Sequence, residues 1–114
     1  MLSLKDGEFL VKLARKAVEV YLREGKIIDP PEEVSEKLKE KRGVFVTINT
    51  FKPKELRGCI GFPEPIYPLV EATIKAAIHS ATEDPRFPPM MEEELDNVVF
   101  EVSVLTKPEL IVVK

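Results

Sequence analysis

The chain has one cysteine, one histidine and no tryptophan among its 114 residues. A single thiol excludes an intrachain disulfide, and no Cys/His spacing resembles a zinc site. No apolar run approaches the roughly 18 residues that a membrane span needs, and the N-terminus carries no signal-peptide core. An excess of positive charge is also lacking. Lys and Arg total 17 against 20 Asp and Glu, and the net charge of −3 exerts no general pull toward nucleic acid or anionic membrane. A cytoplasmic location is the expectation left by these absences.

What is present describes one soluble globular domain over residues 1–114, with 44% hydrophobic and 32% charged residues. Abundant Lys and Glu together with ten prolines hint at a thermophilic source. Phe9, Leu10, Leu13, Ala14, Ala17, Val20 and Tyr21 recur at three- and four-residue steps, which predicts an amphipathic helix from about Asp6 to Arg23, stopped at Gly25. Glu32 to Arg42 is dense in charge, with only Val34 and Leu38 as apolar anchors, and reads as a short helix or solvated loop. Gly43–Phe51 alternates and is β-branched, predicting a strand, and Glu55–Phe62 returns as its antiparallel partner after the Lys52-Pro53-Lys54 turn. A second helix is expected from about Ile66 to Glu83, then one helical turn over Met90–Leu95. A third strand follows over Asn97–Thr106, and a fourth begins at Leu110–Val113. The chain stops at Lys114 directly after that apolar run. It reads as a sequence cut short inside a larger fold, or, less favoured, as a strand finishing at a sheet edge.

The hexapeptide Leu56-Arg57-Gly58-Cys59-Ile60-Gly61 holds the lone thiol beside an arginine and between two glycines. Side chains alternate across a strand, so Leu56, Gly58, Ile60 and Phe62 face the helices while Glu55, Arg57, Cys59 and Gly61 face the other way. Gly58 would let a helix backbone come close. The same parity in the other strands predicts a common polar face of Thr47, Asn49, Arg57, Cys59, Glu101 and Ser103, flanked by Phe45, Phe51, Val99 and Leu105. Polar groups ringed by apolar ones suit a pocket for a small molecule or a peptide. A one-residue bulge would flip half of that assignment.

The hexapeptide, the downstream Asp84-Pro85-Arg86-Phe87-Pro88-Pro89 and Val102-Ser103-Val104-Leu105-Thr106, in this order, strongly resemble the AMMECR1 domain family. The resemblance implies an α+β fold, an antiparallel sheet with helices packed on one face, drawn from a longer domain of which this chain matches the first part. It implies no reaction or cofactor. In prokaryotes the family is associated with Memo-like and radical-SAM proteins, which makes those the implied partners.

Three functional readings stand. The leading one is an accessory or regulatory binding protein, with Arg57 and Arg86 as recognisers of an anionic group or peptide and Gly58, Cys59, Gly61, Asn49, Glu101 and Ser103 shaping the site. The second is a cysteine-dependent enzyme in which Arg57 activates Cys59 as nucleophile. Its weakness is the base: His79 falls off the apolar stripe of its helix, which predicts an exposed side chain paired with Glu83. Cys59 as a small packed residue is the plain alternative, as are an Arg57–Glu101 ion pair and an Arg86 that caps the helix end. Ser80 and Asp84, four apart at that end, read as local caps. The third reading, nucleic-acid binding through Lys37, Lys39, Lys41, Arg42, Lys52 and Lys54, is disfavoured because Glu36, Glu40 and Glu55 alternate with them. No metal site is expected.

Overall fold

The structure is a computed structural model, described here over residues 2–105. Helix α1 spans Leu4–Glu24. It begins two residues before the periodicity suggests because Ser3 and Asp6 form a reciprocal cap. The Ser3 hydroxyl accepts from the Asp6 N–H at 3.1 Å, and the Asp6 carboxylate accepts from the Ser3 N–H at 3.0 Å. Gly25 ends the helix in the left-handed region at φ 69°, its N–H donating to the Tyr21 carbonyl. In the charged segment that follows, Leu38 is buried within a 3-10 turn over Glu36–Lys39, and the polar residues around it stay in solvent.

Strands β1 (Val44–Thr50), β2 (Leu56–Phe62) and β3 (Val98–Val104) form one antiparallel sheet in the order β2-β1-β3. Helix α2 spans Leu69–Thr82, between β2 and β3 in the chain. It starts later than expected because Pro68 pushes Tyr67 out of the helical region and itself stands at the N-cap. The turn expected over Met90–Leu95 lies two residues further on, as a 3-10 turn over Glu92–Asn97 that leads directly into β3. The expected fourth strand, Leu110–Val113, lies outside the described residues.

Both helices pack on one side of the sheet. Val44, Val46 and Ile48 of β1 and Val98 and Phe100 of β3 are buried against Leu10, Leu13, Ala14 and Ala17 of α1 and the apolar stripe of α2, as parity requires. Helix α2 is buried nearly all round, Ala72 and Ala76 included, because α1 and the 3-10 turn at Glu36–Lys39 cover the side turned from the sheet. His79 is therefore not an exposed partner of Glu83. It is half-buried, its ring 5.5 Å from that of Phe62. Arg15 ties α1 to the start of β3, donating to the Leu95 carbonyl at 2.6 Å and the Val98 carbonyl at 3.2 Å, with its guanidinium over the Phe100 ring.

Candidate functional site

The register arranges the sheet face turned from the helices into cross-strand rows. Gly61, Phe45 and Ser103 make one row, Cys59, Thr47 and Glu101 the next, and Leu56, Asn49 and Val99 the third. The central row is polar. The Thr47 hydroxyl and the Cys59 thiol lie 3.2 Å apart, within hydrogen-bond reach, and Asn49 donates to the Glu101 carboxylate at 3.3 Å. Phe51, Leu56 and Val99 are exposed apolar side chains at one end. Ser103 and Glu101 are exposed, while Phe45, Thr47 and Cys59 are half-buried.

A bulge corrects part of the predicted face. Ile48 pairs with Gly58, yet Asn49 pairs with Leu56, so Arg57 is the extra residue with no partner on β1. Leu56 consequently lies beside Asn49 instead of facing the helices, and is 38% exposed. Arg57 does not meet Glu101. Its Nε donates to Glu94 at 2.7 Å, and its Nη2 donates to Glu94 at 3.1 Å and to the Pro88 carbonyl at 2.8 Å. This forked contact holds the Glu94 carboxyl below its ordinary value, helped by the Met91 N–H and opposed by burial. Arg57 is thus engaged with a carboxylate of its own chain, which argues against its predicted role as an anion recogniser.

The outer edge of β2 explains the rest of the hexapeptide. Alternation turns the Cys59 N–H and carbonyl away from β1. The Asp84 carboxylate accepts from the Cys59 N–H at 3.0 Å, and Arg86 reaches the Cys59 carbonyl at 3.4 Å. Arg86 also donates to Asp84 through Nε at 3.0 Å and Nη2 at 2.7 Å, and its own N–H adds a third bond to that carboxylate. The Asp84 carboxyl sits well below the usual range. The Arg86 side-chain bonds are the main cause and the Cys59 and Arg86 backbone N–H groups add to it, while burial opposes. Arg86 is accordingly a strap across the strand edge, and the expected helix-end cap is corrected. Phe87 lies between the two arginines, its centroid 5.9 Å from Arg57 Cζ and 5.5 Å from Arg86 Cζ.

Both glycines answer to intramolecular contacts. A Cβ on Gly58 would overlap the Ser80 carbonyl of α2, so the expected close helix approach is observed. A Cβ on Gly61 would strike the Phe45 ring and the Val44 carbonyl. Ser80 is not a local cap: its buried hydroxyl accepts from the Ile60 N–H at 2.8 Å and donates to the Val46 carbonyl at 2.7 Å, over the seam between β1 and β2.

The structure therefore brings Cys59, Thr47, Asn49, Glu101 and Ser103 onto one face, and sends Arg57 and Arg86 to the strand edge. Ser80, Asp84, Phe87, Pro88 and Glu94 are structural partners of the hexapeptide that sequence reasoning did not pair with it. One signal pointed there: the two most specific motifs, Leu56–Gly61 and Asp84–Pro89, are the two that touch. His79 offers no base to Cys59, since it packs on Phe62, which pairs with buried Val44 on the helix side. Among the described residues no group of three or more His, Cys, Asp or Glu could hold a metal ion, and no helix is long and apolar enough to cross a membrane.

Comparison with known proteins places these features. The crystal structure of an uncharacterized protein, PH0010 from Pyrococcus horikoshii, is similar at a TM-score of 0.83 and 64% identity, covering 88% of this chain and 51% of that one. A protein of Thermococcus gammatolerans is 65% identical over 114 residues, covering 96% of this chain and 56% of its own length. Protein MK0488 of Methanopyrus kandleri is 60% identical over 111 residues, covering 95% and 52%. These relatives come from thermophiles, in keeping with the composition. The chain spans about half the length of the relatives it matches. The family model AMMECR1 matches residues 11–114, and the chain belongs to that family.

Proposed function

We propose that the protein is an accessory or regulatory binding module whose contact surface is the sheet face turned from the helices. The observation that carries this reading is the row Cys59–Thr47–Glu101, polar and within reach of solvent, set between rows bearing Phe45 on one side and Leu56 and Val99 on the other. An extended peptide or a flat small molecule could match such a face with apolar contacts outside and hydrogen bonds at the centre. Cys59 serves as a shape-giving residue bonded to the Thr47 hydroxyl, with Asn49 and Ser103 beside the central row. The two arginines and two glycines of the motifs hold the strand in place for this surface. A cytoplasmic location belongs to the same reading, as do Memo-like or radical-SAM proteins as partners, the latter supported by the family resemblance alone.

Amide chemical shifts of the labelled protein, recorded while a library of short peptides and small organic fragments is screened, test the proposal. Binders should move Thr47, Cys59, Val99 and Glu101 together, and Cys59→Ser should keep that pattern. Perturbations confined to other surfaces would overturn it. A screened compound chemically converted by the wild type and untouched by Cys59→Ser would move the protein to the cysteine-enzyme reading.

A further inference from the structure

Within the three cross-strand rows of the open sheet face, Glu101 is the one charged residue. It is exposed, and Asn49 donates to one of its carboxylate oxygens at 3.3 Å. Asn49 is neutral, so this bond orients the carboxylate and leaves its charge in place. Two carboxylates beside the β2 edge are treated otherwise: Asp84 is forked by Arg86 and Glu94 by Arg57.

The surroundings of Glu101 are graded along the strands. On one side Val99, two residues earlier on β3, shares its face and stands in a row with Asn49 and Leu56. Phe51 lies two residues beyond Asn49, beside the start of β3, with its N–H on the Asn97 carbonyl. Phe51, Leu56 and Val99 are 64%, 38% and 36% exposed, so this side offers an apolar patch. On the other side Ser103 is small and polar, and the Phe45 ring rests on Gly61 toward β2, away from Glu101. Same-face neighbours on a strand are roughly 6.5–7 Å apart, which sets the carboxylate one strand repeat from the patch.

We propose that this face takes an extended peptide of another protein with the pattern basic–any–apolar: a Lys or Arg at Glu101 and, two residues away, an apolar side chain on the patch of Val99, Leu56 and Phe51. The inference rests on the reading of the open face as the contact surface, and adds the chemistry of its partner. An extended peptide repeats at the same interval as the strand beneath it, so its inward side chains reach the carboxylate and the patch together. The aliphatic stem of the basic residue covers the neighbouring side chains while its cation meets Glu101. An acidic residue at that place is repelled by the oriented carboxylate. A peptide whose basic and apolar residues are adjacent turns one of them outward and loses half of the match.

Titration of the labelled protein with capped peptides containing Lys-Thr-Phe, Glu-Thr-Phe or Lys-Phe, followed by amide chemical shifts, tests this. The Lys-Thr-Phe peptide should move Thr47, Val99 and Glu101, and should bind more weakly as salt is raised. The other two peptides should each bind at least about fivefold more weakly. Glu101 is exposed, so Glu101→Gln keeps the fold and should weaken the Lys-Thr-Phe peptide about fivefold while leaving the Glu-Thr-Phe peptide no weaker. Equal binding of all three peptides on this face overturns the proposal and leaves the contact-surface reading standing. Shifts confined to other surfaces overturn both, and no binding of any of the three overturns the proposal alone. Tighter binding by a Lys107→Ala, Lys114→Ala double variant overturns it as well, because lysines of the same chain would then be the occupants.

Discussion

Gly58→Ala should destabilise the protein more than any other single-methyl addition in the hexapeptide strand's helix-facing row. The added Cβ would overlap the Ser80 carbonyl oxygen and lie 3.0 Å from its carbonyl carbon. Ordinary contact needs a displacement of α2 backbone, and that backbone carries Ala77, Ile78 and Ala81 into the core. Overpacking of this kind costs about 1–3 kcal/mol. The same displacement lifts the Ser80 hydroxyl from Ile60 and Val46, two buried bonds at about 1 kcal/mol each. Against this stands the lower chain entropy of unfolded alanine, about 0.4–1 kcal/mol, available because Gly58 does not have positive φ. The sum is a loss of about 2–4.5 kcal/mol, read as a lower urea midpoint at unchanged slope. Ser80→Ala alone should lose about 1–2 kcal/mol, and the two losses should not add, because both act through one contact. A Gly58→Ala variant within about 0.5 kcal/mol of wild type would refute the account of this glycine as a helix contact.

Four further outcomes follow from the same contacts. Asp84 has a folded-state pKa depressed below its ordinary 3.8, so its contribution is fully present above that value and is lost as pH falls below it. Acid titration of stability should show that loss in the wild type and lack it in Asp84→Asn, and parallel curves would contradict the strap. Arg57→Lys keeps the charge but loses the fork on Glu94 and Pro88, costing about 1–2 kcal/mol by urea unfolding, with a coupling near 1 kcal/mol in a cycle with Glu94→Gln. The half-exposed Arg23–Glu92 pair should contribute under about 1 kcal/mol in the same assay, so a larger coupling there would undo the contrast between edge strap and surface pair. Thr73 is fully buried in α2 with its hydroxyl unbonded to any described residue, and Thr73→Val should be neutral or stabilising by about 1 kcal/mol. A loss above about 1 kcal/mol there would mean the hydroxyl has a partner.

The elements and the buried side of the sheet were legible because each rests on a local period. Leu10, Leu13, Ala14 and Ala17 at helical spacing, and Val44, Val46 and Ile48 at strand spacing, decide a face without knowing what lies opposite. The errors occur where a single residue changes the count or a partner is distant in sequence. Pro68 delays α2 through its effect on Tyr67, and the bulge at Arg57 turns Leu56 to the open face while leaving the parity of Cys59 intact. Parity thus predicts Thr47, Cys59 and Glu101 as neighbours, as the register has them, whereas the bulge takes Arg57 off the face that parity assigns to it. Glu94 stands 37 residues from Arg57 and Asp84 stands 25 from Cys59, separations at which charge pairing has no period to read. Ser80 illustrates the same limit: its spacing from Asp84 suggests a cap, whereas the close approach permitted by Gly58 delivers its hydroxyl to two strands. The hexapeptide thus divides its labour by chemistry. Its glycines admit a helix and a ring, its arginine and its backbone edge receive the Asp84–Glu94 segment, and the Cys59 thiol and the Leu56 side chain are left facing the open side of the sheet.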